Sequence, residues 1–191
     1  MESFAGFDFV EVLARARLGD ADAFETLFGH FNRPVAAFAG ARRASDPEGV
    51  VNEVFIRVFR KLPSFAGSEE QFTAWVFRIA RNLLIDEVRR QARRLDEVSG
   101  PAFESVSAQT STLGNPEQDL VDTEADALVG YLDHLTAEQR DVILLRVVAD
   151  QSIEVVAGTL GKSVAAVKSI QYRATRTLRY ALEENLVSSA T

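Results

Sequence analysis

The sequence predicts an all-α protein with two small helical domains joined by a flexible acidic linker. Apolar residues recur at helical intervals in both halves of the chain, and this periodicity is lost between them. The predicted domains cover residues 9–94 and 122–184, and the linker covers residues 95–121. A length of 191 residues with 47% hydrophobic content is sufficient for two small cores.

The first domain is predicted to contain three helices that share aromatic stripes. One helix spans residues 21–38, and a second begins at Asp46-Pro47, because proline is tolerated in the first helical turn. The segment Leu62–Ser68 is predicted to be a loop from its Pro, Gly and Ser content, and the third helix begins near Glu70. Three such helices predict a small bundle.

The third helix combines aromatic and basic residues. Its segment Phe72–Arg94 contains the only Trp of the chain and six of its 21 Lys and Arg residues. In a chain of net charge -7, this concentration predicts a surface that binds a polyanion. An ordinary amphipathic helix with a solvated basic face is the alternative, and the segment alone does not separate the two.

Charge alternates along the chain in a way that the net charge hides. Lys and Arg are absent from Leu95 to Gln139, where ten acidic residues lie, whereas Lys162–Tyr180 has five basic residues and no acidic one. Ser, Thr, Gly and Pro accompany the acidic residues of the linker, which predicts little regular structure there.

The second domain is predicted to form a helix-turn-helix. Helical spacing resumes near Asp122, and a short helix, a glycine-containing turn and a longer basic helix follow one another as in that motif. The predicted boundaries are Thr136 as N-cap of a helix over 137–148, Ser152 as N-cap of a helix over 153–160, Gly161 as its terminating glycine, and Ser163 as N-cap of a last helix to about Leu182.

The last helix is predicted to have an apolar inner face and a basic outer face. Val164, Val167, Leu178 and either Ile170 or Ala174 face the partner helix. Cationic and short polar side chains in a major groove reach base edges and neutralise phosphates, so the outer face is a candidate DNA surface. Its members are Lys168, Ser169, Tyr172, Arg173 and Arg176. A solvated face is the alternative.

Composition and motifs argue against an enzyme and against a membrane protein. The chain has no Cys, its two His residues lie far apart, and it has neither a glycine-rich phosphate loop nor a Gly-x-Ser-x-Gly elbow. We therefore expect no catalytic residue, no metal site and no cofactor. No apolar stretch is long enough to cross a bilayer and no signal peptide is evident, which predicts a cytoplasmic location without membrane insertion.

Five segments carry a resemblance to a known family. Two lie in the second half, Leu135–Asp150 and Leu160–Ala174, and three lie in the first half, Asp22–Phe28, Val51–Phe59 and Trp75–Asp86. The former resemble region 4 and the latter region 2 of the sigma-70 family, in particular the compact extracytoplasmic-function (ECF) sigma factors. The similarity covers about residues 20–94 and 125–182.

The resemblance implies a non-catalytic, dissociable subunit that binds core RNA polymerase and promoter DNA. Region 2 would open the minus-ten element, region 4 would read the minus-thirty-five element, and catalysis would belong to the core enzyme. An anti-sigma protein that clamps the two domains is a further expected partner. The acidic linker resembles the segment that threads the polymerase channels, and a solubilising tether is the alternative.

Residue roles follow from the same resemblance. The helix over Asp46–Lys61 matches the helix that docks on core polymerase, and its contacting side chains would include Glu53, Ile56 and Arg57. The chain departs from the family pattern at Gly49, Asn52 and Val155. The positions that match the minus-thirty-five reading residues are Lys168, Ser169, Tyr172 and Arg173, beside Arg176.

The minus-ten element would be handled by the loop before the third helix and by that helix. The loop matches one that captures an unstacked base in relatives, and Phe65 is the better candidate there for contact with DNA, whereas Trp75 is expected to pack beside Phe72 and Ile79. The implied residues are Phe65, Ala66, Gly67 and Ser68 in the loop, and Arg78, Arg81, Asn82, Asp86 and Arg89 in the helix.

Two competing functions remain at this point. An autonomous helix-turn-helix regulator would fit the second half, but the first half has neither phosphoacceptor chemistry nor a small-molecule pocket signature. An enzyme that uses carboxylates of the helical bundle would need paired Glu-x-x-His motifs, which the sequence lacks. Because a flexible acidic segment tethers two basic faces, we also expect either that the free protein closes on itself and hides its DNA surfaces or that an anti-sigma protein clamps the two domains.

Overall fold

The computed structural model describes residues 8–98 and 130–188, and every regular element in these two ranges is helical. The all-α prediction is therefore confirmed for the described residues. The helices, numbered in chain order, are α1 (Phe9–Arg17), α2 (Ala21–Ala41), α3 (Pro47–Lys61), α4 (Glu69–Val98), α5 (Ala137–Ile143), α6 (Ile153–Leu160) and α7 (Val164–Ser188). A 3₁₀ turn lies at Leu62–Ser64, another at Leu132–His134, and a π-helical turn follows α5 at Leu144–Val148.

Aspartate side chains cap the first three helices, namely Asp8, Asp20 and Asp46. Each accepts hydrogen bonds from backbone N–H groups that a first helical turn leaves without a partner, which stabilises a helix by about 1 kcal/mol. In α3 the Asp46 carboxylate accepts from the N–H of Gly49 at 2.8 Å. A Cβ at Gly49 would collide with that carboxylate, so glycine suits this capped first turn.

Three helices run further than the sequence predicted. α2 ends at Ala41 instead of residue 38, α4 at Val98 instead of residue 94, and α7 at Ser188 instead of about residue 182. Once a helix is nucleated, each added residue brings one hydrogen bond, so a helix can continue beyond the residues of its apolar stripe. Residues 99–121 of the predicted linker and the helical start near Asp122 lie outside the described residues.

Aromatic rings fill the core of the first helical unit, which comprises α1 to α4. Phe72 is fully buried, and its ring centroid lies 5.5 Å from that of Phe9 and 5.6 Å from that of Phe31. Phe65 and Trp75 contact the same ring edge-on at 5.2 and 5.7 Å. Tilted and edge-on pairs are the arrangements that aromatic quadrupoles favour. The cluster therefore ties α1, α2 and the loop before α4 to α4 itself.

The second helical unit, which comprises α5 to α7, begins at a capping box. The Thr136 hydroxyl accepts from the N–H of Gln139 at 3.3 Å, and the Gln139 side-chain oxygen accepts from the N–H of Thr136 at 3.0 Å. Ser152 and Ser163 cap α6 and α7 through their hydroxyl oxygens. All three predicted caps are confirmed, and the helix predicted over 137–148 is continuous with its final turn in π form.

Gly161 joins α6 to α7 in a left-handed conformation, with φ 65° and ψ 36°. An L-residue in this region costs about 1 kcal/mol, so Gly161→Ala is expected to lower the free energy of unfolding by about that amount. Chemical unfolding followed by circular dichroism measures it. The matched control is Gly29→Ala, at an exposed position inside α2 with open space around it, where alanine is expected to raise helix stability. Equal effects of the two variants would contradict the assigned turn.

The two helical units pack against each other. α2 contacts the π-helical turn, and α4 contacts α6. Buried apolar residues of the second unit, among them Val142, Leu144, Leu145 and Val156, belong to the same cluster as the core of the first unit. Among the described residues, one hydrophobic cluster therefore spans both units.

Candidate nucleic-acid interface

The outer face of α7 is open to solvent. Its predicted members are all exposed, and they are Lys168, Ser169, Tyr172, Arg173 and Arg176. On the inner face Val167, Ile170 and Ala174 are at most 3% exposed. Both candidates for the third inner position, Ile170 and Ala174, therefore face inward. The Gly161 turn and the packing of α6 present the cationic face of α7 outward, as a helix that enters a major groove requires.

The loop before α4 is held by its own side chains. The Ser68 N–H donates to Gln71 Oε1 at 2.9 Å, and the Ser68 hydroxyl accepts from the Gln71 N–H at 3.3 Å, which is a second capping box. Phe65 stacks on Trp75 with centroids 5.1 Å apart and planes 13° apart. A Cβ at Gly67 would meet Gln71 and Phe65 at under 3.0 Å. A side chain at Gly67 would therefore displace the Gln71 amide or the Phe65 ring, so glycine suits the tip of this loop.

The same geometry can be compared with the predictions made for Trp75 and Phe65. Trp75 is half-buried and packs on Phe72, which confirms its expected place in the bundle. Phe65 is also half-buried, with its ring on Trp75, so only part of it is open to a ligand. Its contact with DNA stays a prediction.

The polar face of α4 divides into a free part and a part engaged by the second unit. Asn82, Asp86 and Arg89 are exposed, with Arg89 Nη1 3.9 Å from Asp86 Oδ1. Arg78 donates to the backbone oxygen of Gly158 in α6. Arg81 donates to a carboxylate of α5, described below. Two of the arginines predicted to handle the minus-ten element therefore contact the second unit.

A buried carboxylate joins the two units. Asp141 in α5 is 1% exposed, and its Oδ2 accepts from Arg81 Nε at 2.6 Å. Its other oxygen pairs with Nη1 of Arg42, the C-cap residue of α2. The Arg42 guanidinium also lies over the Phe38 ring, 6.0 Å from its centroid. A carboxylate bound by two guanidinium groups is the kind of buried charge that proteins tolerate.

The surroundings of this carboxylate are crowded with cations. Burial, together with repulsion from Arg81 and Arg140, lowers the pKa of Arg42 to about 10. Burial also lowers the pKa of Arg81. At neutral pH Arg42 still carries its charge, so the site is a local excess of positive charge that one carboxylate neutralises in part.

Sequence reasoning missed Arg42 and Asp141. Asp141 directly precedes the buried Val142 and Ile143, and an acidic residue at such an inward position is a signal that could have found it, since Asp is rarely buried unpaired. Its partners carried no such signal, because Arg81 is 60 residues away along the chain.

The predicted core-docking face of α3 is also exposed. Ile56 is 44% exposed, and beside it Arg57 Nε donates to Glu53 Oε1 at 2.8 Å. The three side chains form a small apolar and charged patch on one side of the helix, while Val54 and Val58 face the core. The arrangement fits a protein contact, because an apolar centre lies beside a polar pair.

Within residues 8–98 and 130–188, no helix is long and apolar enough to cross a membrane. The same two ranges hold no group of three His, Asp or Glu side chains placed to bind a metal ion.

Comparison with known protein families finds two regions, in the order that the sequence predicted. The family model for Sigma-70 region 2 matches residues 27–94, and the one for Sigma-70 region 4 matches residues 125–178. The chain is 31% identical over 170 residues to the ECF RNA polymerase sigma-E factor of Escherichia coli K12, which covers 85% of this chain and 88% of that protein.

A second relative and one solved structure indicate the same family. The chain is 29% identical over 179 residues to the ECF RNA polymerase sigma factor BldN of Streptomyces coelicolor, covering 92% of this chain but only 66% of BldN. The sigma factor RpoE of Bartonella quintana, solved with the anti-sigma factor NepR, superposes with a TM-score of 0.57 at 26% identity, over 91% of this chain and 93% of that one. Two regions matched in order, on the fold described above, show that the chain belongs to the ECF group of the sigma-70 family, whose members direct promoter-specific transcription initiation by RNA polymerase.

Proposed function

We propose that this chain is a non-catalytic subunit that binds core RNA polymerase and directs it to specific promoters from the cytoplasm. The observation that carries the proposal is the exposed cationic face of α7, presented by a glycine turn at Gly161, in one chain with a bundle that exposes a second polar face on α4. In this proposal the active site belongs to the core enzyme, and the chain supplies promoter recognition.

The first helical unit is proposed to dock on core polymerase through α3. The exposed patch of Glu53, Ile56 and Arg57 offers an apolar centre with two charges whose mutual pairing is solvent-exposed and therefore weak. Such a pair exchanges partners at low cost, which suits a subunit that binds and dissociates.

The same unit is proposed to open the minus-ten element. The loop residues Ala66, Gly67 and Ser68 are exposed, as are Asn82 and Arg89 on α4. A base taken out of the stack loses a few kcal/mol, which pocket contacts and phosphate neutralisation offset. Arg78 and Arg81 extend this face once they leave the second unit.

The second unit is proposed to read the minus-thirty-five element as a duplex. Arg and Lys reach guanine edges and phosphates in a major groove, while Ser and Tyr hydroxyls contact phosphates or bases. The exposed face of α7 offers these chemistries together. Because RpoE of Bartonella quintana is solved with an anti-sigma factor, an anti-sigma protein is a proposed partner of this chain as well.

Reconstitution tests the proposal. The purified chain is added to sigma-free core polymerase on a promoter library, and the transcripts are mapped. We expect initiation at promoters that share two spaced elements. Tight binding to duplex DNA without core, and no promoter-specific transcript, would instead favour an autonomous helix-turn-helix regulator, a function that the exposed reading face also allows.

A variant tests the docking face. Ile56→Ala removes apolar surface that core polymerase would bury, so the affinity for core is expected to fall by about 1–2 kcal/mol, roughly five- to thirtyfold. Fluorescence titration with labelled core measures it. Val10→Ala is the matched control, since Val10 is 75% exposed on α1, away from α3. Unchanged affinity of the Ile56 variant would remove α3 from the proposed contact.

A further inference from the structure

Arg42 and Arg81 approach one carboxylate from two helices of the first unit. One oxygen of Asp141 pairs with Arg42 and the other accepts from Arg81 at 2.6 Å. Two guanidinium groups spaced to hold both oxygens of a carboxylate are also spaced to hold two oxygens of a phosphate, for which arginine has the same donor geometry. Below, the two side chains are called the Arg42–Arg81 pair.

Both members of the pair belong to the first unit. Arg42 is the C-cap of α2 and lies over the Phe38 ring, and Arg81 lies in α4, one turn before the buried Leu84. If Asp141 were withdrawn with the second unit, the two guanidinium groups would lie near each other on the first unit without their counter-ion. Two neighbouring cations without a counter-ion favour the binding of an anion.

The second unit covers this place by close packing. Thr159 donates its hydroxyl to the backbone oxygen of Ala74 at 3.3 Å, and Arg78 donates to the backbone oxygen of Gly158. A Cβ built on Gly158 would lie 3.3 Å from the Cβ of Ala74 and meets nothing else within 4 Å. A side chain at Gly158 therefore begins against α4, and a longer one is expected to push α6 away from α4.

The second unit contacts only one of the two proposed DNA-binding surfaces. The outer face of α7 and the patch on α3 are exposed in the same structure, whereas Arg78 and Arg81 on α4 contact the second unit. The expectation that closure hides both DNA surfaces is therefore wrong for α7. On the α4 surface, Arg78 and Arg81 are engaged by the second unit, whereas Asn82, Asp86 and Arg89 stay exposed.

We propose that the Arg42–Arg81 pair is a binding site for a phosphate of the DNA backbone, and that Asp141 occupies it as an intramolecular phosphate substitute until the two units separate. The site adds Arg42 to the DNA-binding residues. It also sets an order, in which core docking and duplex reading are available to the closed chain, whereas Arg42 and Arg81 join the minus-ten surface only after opening. The inference rests on the proposed function for its biological meaning, although phosphate binding does not depend on it.

The test uses the full chain without polymerase and a fluorescein-labelled oligothymidylate as a generic single strand. Gly158→Gln opens the contact by steric force, and Asp141→Asn opens it by removing the carboxylate charge. Asp150→Asn is the matched control, because it makes the same change at an exposed residue of the second unit whose φ of 48° asparagine tolerates. Circular dichroism establishes that each variant is folded.

Small-angle scattering and salt titration give the readouts. We expect both opening variants to increase the radius of gyration and to bind the oligonucleotide more tightly. Because the pair binds one phosphate, opening should steepen the dependence of log affinity on log salt by roughly 0.7, the increment for one phosphate contact on a single strand. Adding Arg42→Ala to Gly158→Gln should remove most of that increase, while the Asp150 variant should match the original chain.

Three results would overturn the proposal. One is an opened Gly158 variant whose salt slope is unchanged, another is an unchanged slope when Arg42→Ala is added to it, and the third is an equal gain from Asp150→Asn. If Asp141→Asn does not fold, the Gly158 variants decide alone. The assay contains neither polymerase nor promoter, so a negative result does not contradict promoter-specific initiation. Likewise, a failure to initiate transcription does not change the interpretation of the binding assay.

Discussion

Replacing Phe72 by alanine is expected to lower the free energy of unfolding by about 3–5 kcal/mol, which is the usual cost of removing a buried aromatic ring. Phe72 is fully buried, and the rings of Phe9, Phe31, Phe65 and Trp75 surround it. Truncation leaves a cavity bordered by four rings held on different elements, so the walls cannot all move in to fill it.

Chemical unfolding measures the loss, and the fluorescence of the only Trp of the chain reports on this cluster directly. Val88→Ala is the control on the same helix, because Val88 is 60% exposed, and its effect is expected within about 0.5 kcal/mol of zero. A loss below about 1 kcal/mol for Phe72→Ala would show that the ring is not central to the packing of the first unit.

Arg173→Ala is expected to weaken promoter complexes that depend on the minus-thirty-five element by about 1–3 kcal/mol, a factor of roughly five to 160. Arg173 lies on the exposed face of α7, and its Nε makes only a long hydrogen bond of 3.4 Å to the backbone oxygen of Ser169. The guanidinium is thus available to a base edge or a phosphate, and little of the fold depends on it.

Competition binding of the reconstituted holoenzyme to paired promoters measures this effect. One promoter keeps the upstream element and the other has it replaced, so the comparison removes any general loss of DNA affinity. The variant should lose affinity only for the first promoter and should bind core polymerase normally. An equal loss on both promoters would assign Arg173 to phosphate contacts, and a loss of core binding would place it in a different interface.

Local features of the structure were predictable from the sequence because short-range chemistry decides them. Thr136 and Ser152 cap helices as predicted, since a hydroxyl before an apolar helical stripe satisfies the free N–H groups of the first turn. Gly161 ends α6 as predicted, since glycine alone adopts a left-handed conformation without strain. The two faces of α7 follow from helical periodicity.

Features that depend on how the two units approach each other were not predictable in the same way. The partner of Arg81 is Asp141, and no local pattern selects it from the other acidic residues of the chain. The π-helical turn at Leu144–Val148 likewise changes the register of a helix whose periodicity reads as ordinary. The proposed Arg42–Arg81 site falls in this class, because its two members come from different helices.

The loop before α4 has a further consequence for how DNA is bound. The Ser68–Gln71 capping box and the stack of Phe65 on Trp75 fix the loop on the helix that follows it. A ligand that meets this loop does not have to order it, so the conformational entropy that flexible recognition loops lose on binding has been lost during folding. If the loop binds the minus-ten strand as proposed, the free energy of each contact made there is available to separate the DNA strands.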